Sequence, residues 1–234
     1  MLRKVYDMKS IKILDWTMKD PLNCIGMCAG ICWGTDTTVT KKNVKRALSC
    51  IDDQHGRVEE LPDVYVVIDG YSAKCIRELY THIGGSPTRL QASTRYIDYT
   101  SADMIDVVVP HSVEKNQIAK IVWDTAIYNI TKAMNDLKNL NIPNEDLTNL
   151  LPLAYCTKMV WKVNLRTLIN FFNMRLCSRA YWEIRELCDD LKKELSNYSE
   201  EWKTLSKLFT PRCEQLGYCP EKDSCGRKKK KNEC

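Results

Sequence analysis

The sequence predicts an α+β fold in which an antiparallel or mixed sheet packs with long helices. Short β-branched runs are interspersed with longer segments whose apolar residues recur at helical spacing. The chain has 234 residues, 44% of them hydrophobic, which is enough to form a substantial core. Because strands and helices do not alternate evenly, a doubly wound parallel sheet is disfavoured.

The first half of the chain contains most of the predicted strands. Ser10 to Thr17 alternates polar and apolar residues, and Val64 to Ile68 is a β-branched run bounded by Pro and Gly. Apolar periodicity predicts helices between and after them. The predicted helices are 21–33, 41–51 and 71–82, and further extended segments are 93–99 and 105–109. Gly84 and Gly85 are expected to end the third helix.

The second half is predicted to be mostly helical. Residues 113–140 form one long amphipathic helix or two, and Pro143 begins a short helix after them. Ala154 to Trp161 is predicted to be a strand, followed by helices at 164–176, 179–195 and 200–209. We expect order to fade after Pro211, so that residues 1–210 form a single domain and residues 211–234 a Cys- and Lys-rich tail.

Composition and charge disfavour several classes of protein. No apolar stretch is long enough for a membrane helix, and the charged beginning of the chain is unlike a secretory signal. The formal net charge is +5, but Pro220 to Cys234 holds six basic against three acidic side chains, which leaves only +2 elsewhere. A terminal lysine run is typical of a solvated tail, so nucleic-acid binding is not expected. We expect a cytoplasmic protein without membrane attachment.

Twelve cysteines are many for a chain of this size. Since no export signal is recognisable, we expect reduced thiols that pack as small hydrophobic side chains. Cys24, Cys28 and Cys32 share one face of an apolar segment, which favours core packing. Zinc is an alternative for four cysteines of the tail, but their spacing is wide for a structural zinc site, so no metal site is predicted. These four are Cys213, Cys219, Cys225 and Cys234.

Common catalytic motifs are absent, because the chain has no GxGxxG, no Walker loop and no HExxH. What remains is polar side chains in two stretches. The helix after Asn164 carries Arg166, Asn170, Asn173 and Arg175 among apolar residues, and Asn is a poor helix former. Such a face suits a ligand rich in phosphate and carbonyl acceptors, with a solvent-facing stripe as the alternative. The other stretch contains Arg77, Glu78, His82, Ser86, Arg89, Gln91, Ser93 and Arg95.

Two regions resemble the flavin-dependent thymidylate synthase family. Leu151 to Leu187, LPLAYCTKMVWKVNLRTLINFFNMRLCSRAYWEIREL, resembles the family's C-terminal core, which reads LP, a strand, N-A-R-x-L-x-x-F-x-x-L-R, a turn and A-Q-W-E-I-R. Gly70 to Tyr96 resembles the signature R-H-R-x-x-S-x-N-E-x-S-x-R-Y. The matching runs there are Thr81-His82-Ile83 and Gln91 to Tyr96. The resemblance extends from Ile11 to Leu195, and the tail lies outside it.

The resemblance implies an enzymatic activity, that of a methyltransferase of dTMP biosynthesis. In the family, reduced FAD delivers a hydride, methylenetetrahydrofolate delivers one carbon, and dUMP becomes dTMP, while NADPH re-reduces the flavin. No enzyme nucleophile is required, which fits a chain without a recognisable triad. The resemblance also implies a homotetramer whose sites form between subunits.

Roles for individual residues follow from the same resemblance. Arg175 matches the arginine that favours ionised uracil N3, which makes it the catalytic candidate. The implied cofactor contacts are His82, Glu60, Asn164, Arg166 and Asn170. The implied substrate contacts are Ser93 and Arg95, with Glu78, Gln91 and Arg89 as further candidates.

Several positions depart from the family pattern. Thr81 and Ile83 stand where the signature has its two arginines, and the gap between His82 and Ser93 is two residues longer. Gln91 stands where the family has a glutamate.

Two further departures lie outside the signature. Thr148 falls where a phosphate-binding arginine is expected, and the H-x-S/T-P-x-E-H segment at His55 to Leu61 keeps the acid, Glu60, but loses its second histidine. Each lost charged phosphate contact is worth roughly 1.5–3 kcal/mol, so dUMP binding weakens unless Arg77 or Arg89 replaces the contact.

Three functions remain compatible with this pattern. The first is a thymidylate synthase with rearranged phosphate contacts. The second is a related flavoenzyme that modifies another pyrimidine nucleotide, for example by hydroxymethylation. The third is a flavin- or nucleotide-binding paralogue without turnover. Flavin absorbance that is bleached by NADPH indicates one of the two enzymes, and a colourless protein that takes up no FAD favours the paralogue.

Overall fold

A small antiparallel sheet organises the strands of the chain. The computed structural model describes residues 9–84, 87–101 and 103–233, so Gly85, Ser86 and Cys234 lie outside it. Within these ranges a four-stranded sheet has the order β1-β2-β4-β3. The strands are β1 (Ser10–Ile13), β2 (Asp63–Ser72), β3 (Thr88–Gln91) and β4 (Cys156–Asn164). The predicted α+β class is confirmed.

Helices make up most of the remaining structure. The predicted segment 113–140 is two helices, α4 and α5, and Pro143 precedes a short helix as expected. The helices predicted at 21–33, 41–51, 71–82, 164–176, 179–195 and 200–209 are confirmed with shifted ends. The observed bounds are α1 (Pro21–Cys32), α2 (Thr40–Asp52), α3 (Ala73–Leu79), α4 (His111–Glu114), α5 (Gln117–Asn139), α6 (Asn144–Leu147), α7 (Leu165–Arg175), α8 (Trp182–Tyr198), α9 (Glu200–Leu205) and α10 (Arg212–Leu216).

The strand predicted at 93–99 is wrong, because this segment forms turns directly after β3. The side-chain amide of Asn144 donates to the carbonyls of Arg95 (3.0 Å) and Ile97 (2.8 Å), which are therefore occupied by a side chain rather than by a neighbouring strand. The strand predicted at 105–109 is also wrong. That segment is buried, but within the described residues it forms only the isolated bridge from Val107 to Tyr155.

Order continues beyond Pro211, contrary to expectation. Helix α10 ends at Leu216, and the next residue, Gly217, has a φ of 76°, the left-handed conformation that favours glycine. Further along, an isolated bridge joins Cys219 to Lys230. A 3-10 turn then covers Lys231–Glu233. The boundary between a domain at 1–210 and a tail at 211–234 stays a prediction.

The chain divides into two compact units. The first is built mainly from Ile68–Arg77 and Leu90–Met159. Its core is a cluster of aliphatic and aromatic side chains from the segment 105–109, α5 and the residues before β4. The buried members are Ile105, Val107, Val109, Ile127, Met134, Leu147 and Tyr155.

The second unit contains Ile11–Val67, Glu78–Arg89 and the chain from Val160 onward. Aromatic rings form the centre of its core. Phe172 stacks on Phe209 with ring centroids 4.3 Å apart, and Phe171 packs edge-on against Trp161 at 5.3 Å. These contacts fix α7 in this unit, and α7 carries two of the five predicted cofactor contacts, Arg166 and Asn170, directly after a third, its N-cap residue Asn164.

The cysteines of α1 are not core residues, so that prediction is wrong. Cys24 and Cys28 are half-buried and Cys32 is exposed. The face of α1 that packs inward contains Gly26, and a Cβ there would lie 1.8 Å from the Asn43 carbonyl oxygen. Close approach of α2 therefore selects the glycine face for packing rather than the cysteine face.

We predict that Glu201 stabilises the second unit by capping α1. Its Oε2 accepts hydrogen bonds from the backbone N–H groups of Leu22 (2.6 Å) and Asn23 (3.1 Å), at a helix start where Asp20 provides no side-chain cap. Glu201→Ala is expected to lower the free energy of unfolding by about 1–2 kcal/mol in urea denaturation. Glu200→Ala is the matched control, since its side chain is 88% exposed. Equal effects of the two substitutions would contradict the capping role.

Candidate active site

Arg175, in the last turn of α7, donates to three side chains of the segment Glu78–His82. Its Nε donates to Nε2 of His82 (2.9 Å), its Nη1 to Oε2 of Glu78 (3.0 Å) and its Nη2 to Oγ1 of Thr81 (2.9 Å). The Arg175 and Glu78 side chains are 22% and 29% exposed, so this ion pair is better shielded than a surface pair. The network fixes the plane of the guanidinium and ties the segment to α7.

His82 is neutral in this network. Because its Nε2 accepts a hydrogen bond, the ring proton resides on Nδ1. Burial lowers the pKa of His82 to about 4, and the charge of Arg175 adds to the effect. The ring lies edge-on against Phe171, with centroids 5.0 Å apart. His82 therefore offers a neutral N–H donor in a fixed orientation.

Glu60 and Arg166, both predicted cofactor contacts, lie together. Arg166 Nη1 forms an ion pair with Oε1 of Glu60, and this hydrogen bond lowers the pKa of the carboxyl group. Gly56 lies against the same guanidinium, where a Cβ would be 3.2 Å from Nε of Arg166. Glycine at position 56 therefore permits this close packing, which a side chain would crowd. Asn170 is exposed one turn further along α7.

The asparagines of α7 have different surroundings, so the predicted common face for Asn170 and Asn173 is wrong. Asn164 is the N-cap residue, and its side-chain oxygen accepts from the backbone N–H of Thr167 (2.9 Å). Asn173 is buried and donates to Gln215 of α10 (3.1 Å). The exposed polar face of α7 is therefore formed by Arg166 and Asn170.

In the first unit, Ser93 and Arg95 lie in the turns after β3. The Ser93 hydroxyl accepts from the backbone N–H of Arg95 (3.1 Å), and Arg95 Nε donates to Oε2 of Glu145 (3.0 Å). The two side chains of this ion pair are 64% and 56% exposed. An exposed pair of this kind is worth only about 0–1 kcal/mol, so the guanidinium can exchange Glu145 for an anionic ligand at little cost.

Three other candidates already contact neighbouring groups. Gln91 donates to the hydroxyl of Thr157 (3.1 Å). Arg89 Nη1 donates to the Tyr80 carbonyl (2.8 Å), and its guanidinium covers the Tyr80 ring at 4.7 Å. The third, Thr148, stands at an expected phosphate contact, but it is buried and its hydroxyl bonds to backbone carbonyls. Thr148 therefore has a structural contact in place of a phosphate contact.

A cleft that the sequence reading missed lies beside the turns of the first unit. It has a volume of about 260 Å³ and is lined by Ile97 to Tyr99, Ala92 and the start of β4. Lys158 at its edge forms an ion pair with Asp69 (2.7 Å). The cleft depends on the pairing of two segments that are distant in the sequence. The Ala92 N–H, directly after Gln91, donates to the Lys158 carbonyl (2.7 Å), and no local sequence pattern predicts this contact.

The described residues contain neither a cluster of metal ligands nor a membrane-spanning helix. Across residues 9–84, 87–101 and 103–233, no three His, Cys, Asp or Glu side chains lie close enough to share a metal ion. In the same ranges no helix has both the length and the apolar character needed to cross a bilayer. Since Cys234 lies outside them, zinc in the tail stays a hypothesis.

The fold and these groups define a class of protein. Its small α+β framework carries guanidinium groups, those of Arg95, Arg166 and Arg175, whose chemistry suits anionic ligands. Comparison with known proteins identifies the family. The family model described as "Thymidylate synthase complementing protein" matches residues 12–198.

Curated relatives support the same assignment. A flavin-dependent thymidylate synthase of Pyrococcus horikoshii is 32% identical over 229 residues, which cover 92% of this chain and 91% of the relative. One of Pyrococcus abyssi is 36% identical over 162 residues, which cover 67% of this chain and 64% of that protein. The chain therefore belongs to the flavin-dependent thymidylate synthase family, as the sequence resemblance implied.

Solved structures share the fold. A UMP/dUMP methylase, PolB of Streptomyces cacaoi, solved with 5-Br dUMP, gives a TM-score of 0.71 at 14% identity, covering 86% of this chain and 94% of that one. Thymidylate synthase X of Helicobacter pylori, solved with FAD and dUMP, gives 0.65 at 18% identity, covering 85% and 99%. At such identities the likeness concerns the fold.

We predict that Arg175→Gln raises the pKa of His82 from about 4. Removing the cation removes one cause of the lowered pKa, while burial, the larger cause, remains. The value should therefore rise but stay below 6.5 in an NMR titration of the ring. A pKa of 6.5 or higher in the unaltered protein would contradict the neutral histidine.

The same histidine makes stability depend on pH. The unfolded chain binds a proton at position 82 below about pH 6.5, whereas the folded chain does so only near pH 4. Between these values the unfolded state binds more protons, so this contribution to stability falls as the pH falls. His82→Gln should make the free energy of unfolding less sensitive to pH in this window.

Proposed function

We propose that this chain converts dUMP to dTMP, with methylenetetrahydrofolate as the carbon donor and NADPH as the reductant. The observation that carries the proposal is the Arg175 guanidinium, which three side chains hold in place. Its charge can stabilise the negative charge that develops on a uracil ring. The names of the curated relatives and the FAD and dUMP in the Helicobacter pylori structure support this substrate and cofactor.

The exposed face of α7 is the proposed FAD site. Arg166 and Asn170 lie one turn apart, and the Arg166 side chain is 53% exposed, so a flat or anionic group can reach it from solvent. When bound, the flavin supplies the hydride. In this proposal Arg166 and Asn170 bind its acceptor oxygens, and Glu60 orients Arg166.

Three further residues contribute: His82 through a single donor, and Asn164 and Glu78 by positioning their neighbours. His82 presents its Nδ1–H to the cofactor, because Arg175 occupies the other ring nitrogen. Asn164 fixes the start of α7 through its cap, so we propose that it positions the face rather than contacting the cofactor. Glu78 likewise positions Arg175, which differs from the substrate contact that the sequence suggested.

The turns after β3 are the proposed nucleotide site. The Ser93 hydroxyl and the Arg95 fork can hold a phosphate, since the carboxylate that pairs with Arg95, that of Glu145, is exposed and easily exchanged. The adjoining cleft of about 260 Å³ can receive part of the nucleotide. Gln91, the last residue of β3, is a further candidate contact in this unit. Arg89 remains a substrate-contact candidate of the other unit. We further propose a cytoplasmic homotetramer in which one site draws residues from more than one copy.

Modification of another pyrimidine nucleotide is the second candidate function. It is favoured by the loss of three expected arginines at Thr81, Ile83 and Thr148, the last of which is buried. A binding paralogue without turnover is the third. Product analysis with dUMP as substrate separates the candidates, because the three predict dTMP, a different modified nucleotide or no product.

We predict that Arg166→Ala combined with Asn170→Ala abolishes FAD retention, because both exposed donors of the α7 face are removed. Flavin absorbance of the purified protein measures this loss. Asn129→Ala with Lys132→Ala on α5 is the matched control, since it also removes one exposed amide and one exposed cation. Normal flavin content in the α7 double variant would refute the proposed site.

We predict that Arg95→Ala weakens dUMP binding by roughly 1.5–3 kcal/mol, about tenfold to more than a hundredfold in affinity. Titration calorimetry in the presence of FAD measures the change. Lys115→Ala, which removes another exposed cation of the first unit, should leave the affinity unaltered. If the unmodified protein binds no dUMP at millimolar concentration, dUMP is not its substrate and another nucleotide must be tested.

A further inference from the structure

The C-terminal segment of the second unit contributes to a cleft that the proposed function does not use. It is formed by the end of α7, the connection to α8 and the residues after Pro211. Four free thiols line it: Cys177, Cys213, Cys219 and Cys225. Four cations also line it: Arg179, Arg212, Arg227 and Lys228. Arg179 is paired with Glu221 and Asp223, and Lys228 with Glu214, so the positive charge of the lining comes mainly from Arg212 and Arg227.

Cys225 has the surroundings of a nucleophilic thiol. It is exposed, and its sulfur is hydrogen-bonded to the Ser178 hydroxyl and to the backbone N–H of Arg227. These hydrogen bonds and the nearby Arg227 charge favour the thiolate and lower the pKa of Cys225. Because the thiolate is the reactive form, Cys225 is the member of the four best placed to attack an incoming sulfur.

Asn173 adds an independent sign of a missing ligand. Its side chain is only 9% exposed, it lines the cleft, and its amide nitrogen donates to Gln215. Its Oδ1 has no hydrogen-bond partner in the part of the chain that the structure describes. A buried acceptor without a donor is costly. A bound molecule that displaces a neighbouring group and supplies an N–H to Oδ1 would remove this cost.

Together these groups select one chemical class of ligand. The cations favour carboxylates, Asn173 favours an amide N–H, and the thiolate favours a disulfide. A small acidic peptide that carries a disulfide has all three features. A metal ion is a poorer match, because no three of the described thiols or acids lie close enough to share one.

We propose that this cleft is a thiol-modification site in which Cys225 forms a mixed disulfide with a small acidic peptide thiol. The Cys225 thiolate, having released its proton to solvent, attacks one sulfur of the peptide's symmetrical disulfide. That S–S bond breaks as the new one forms, and the other half leaves as a thiolate that takes up a proton. Cys225 is oxidised and the departing half is reduced, so no further oxidant is needed.

The test uses glutathione disulfide and a neutral probe, hydroxyethyl disulfide, on the purified full-length protein. Peptide mass spectrometry follows the modification of each cysteine over time. Cys32 is the internal control, since it is exposed on α1 outside the cleft. We expect glutathione disulfide to modify Cys225 about tenfold faster than Cys32. We also expect a preference for the acidic over the neutral probe at Cys225 but not at Cys32.

A variant isolates the contribution of the cleft charge. Arg212→Ala removes an exposed cation of the lining, so it should slow glutathione disulfide at Cys225 and leave hydroxyethyl disulfide unaffected. Unchanged melting confirms that the variant is folded. The proposal is overturned if Cys225 reacts no faster than Cys32, or if both probes react equally well at Cys225. Neither outcome bears on dTMP synthesis.

Discussion

The planar guanidinium of Arg175 imposes the constraint on which the candidate site depends. Its donors point in fixed directions within one plane, so satisfying Glu78, Thr81 and His82 together allows only one arrangement of their segment against α7. A lysine, as a single flexible point charge, does not impose this geometry. Burial is the main reason that His82 is neutral, and the Arg175 contact lowers the pKa of the ring further.

The contacts of Thr81 and Thr148 explain how the structure accommodates residues that depart from the family pattern. Thr81 stands where the signature has an arginine, and its hydroxyl donates to the Glu78 carbonyl (2.8 Å) while accepting from Arg175. A second cation at this position would lie beside the first, whereas the hydroxyl adds an acceptor. Thr148 is accommodated differently, because it is buried. The chain therefore keeps Arg175 and its contacts but lacks the arginines that the family pattern has at positions 81, 83 and 148.

The sequence predicts local features well and long-range ones poorly. Amphipathic spacing located α1, α2, α7 and α8, and the residue that caps α7, Asn164, stands directly before the predicted apolar run. The turns at 93–99 depend on Asn144, about fifty residues further along, which no local pattern reveals. The order of the tail depends on partners such as Arg179, which pairs with Glu221. Within the site, residue types were predictable, but whether each contacts ligand or holds a neighbour was not.

Turnover of dUMP by the purified protein is the decisive measurement. With FAD, NADPH and methylenetetrahydrofolate supplied, dTMP should form. Arg175→Ala should lower kcat far more than it weakens dUMP binding, because the guanidinium acts mainly as the ring becomes anionic. The contradicting result is a protein that binds FAD and dUMP yet forms no dTMP, or one whose kcat is unaffected by loss of the guanidinium.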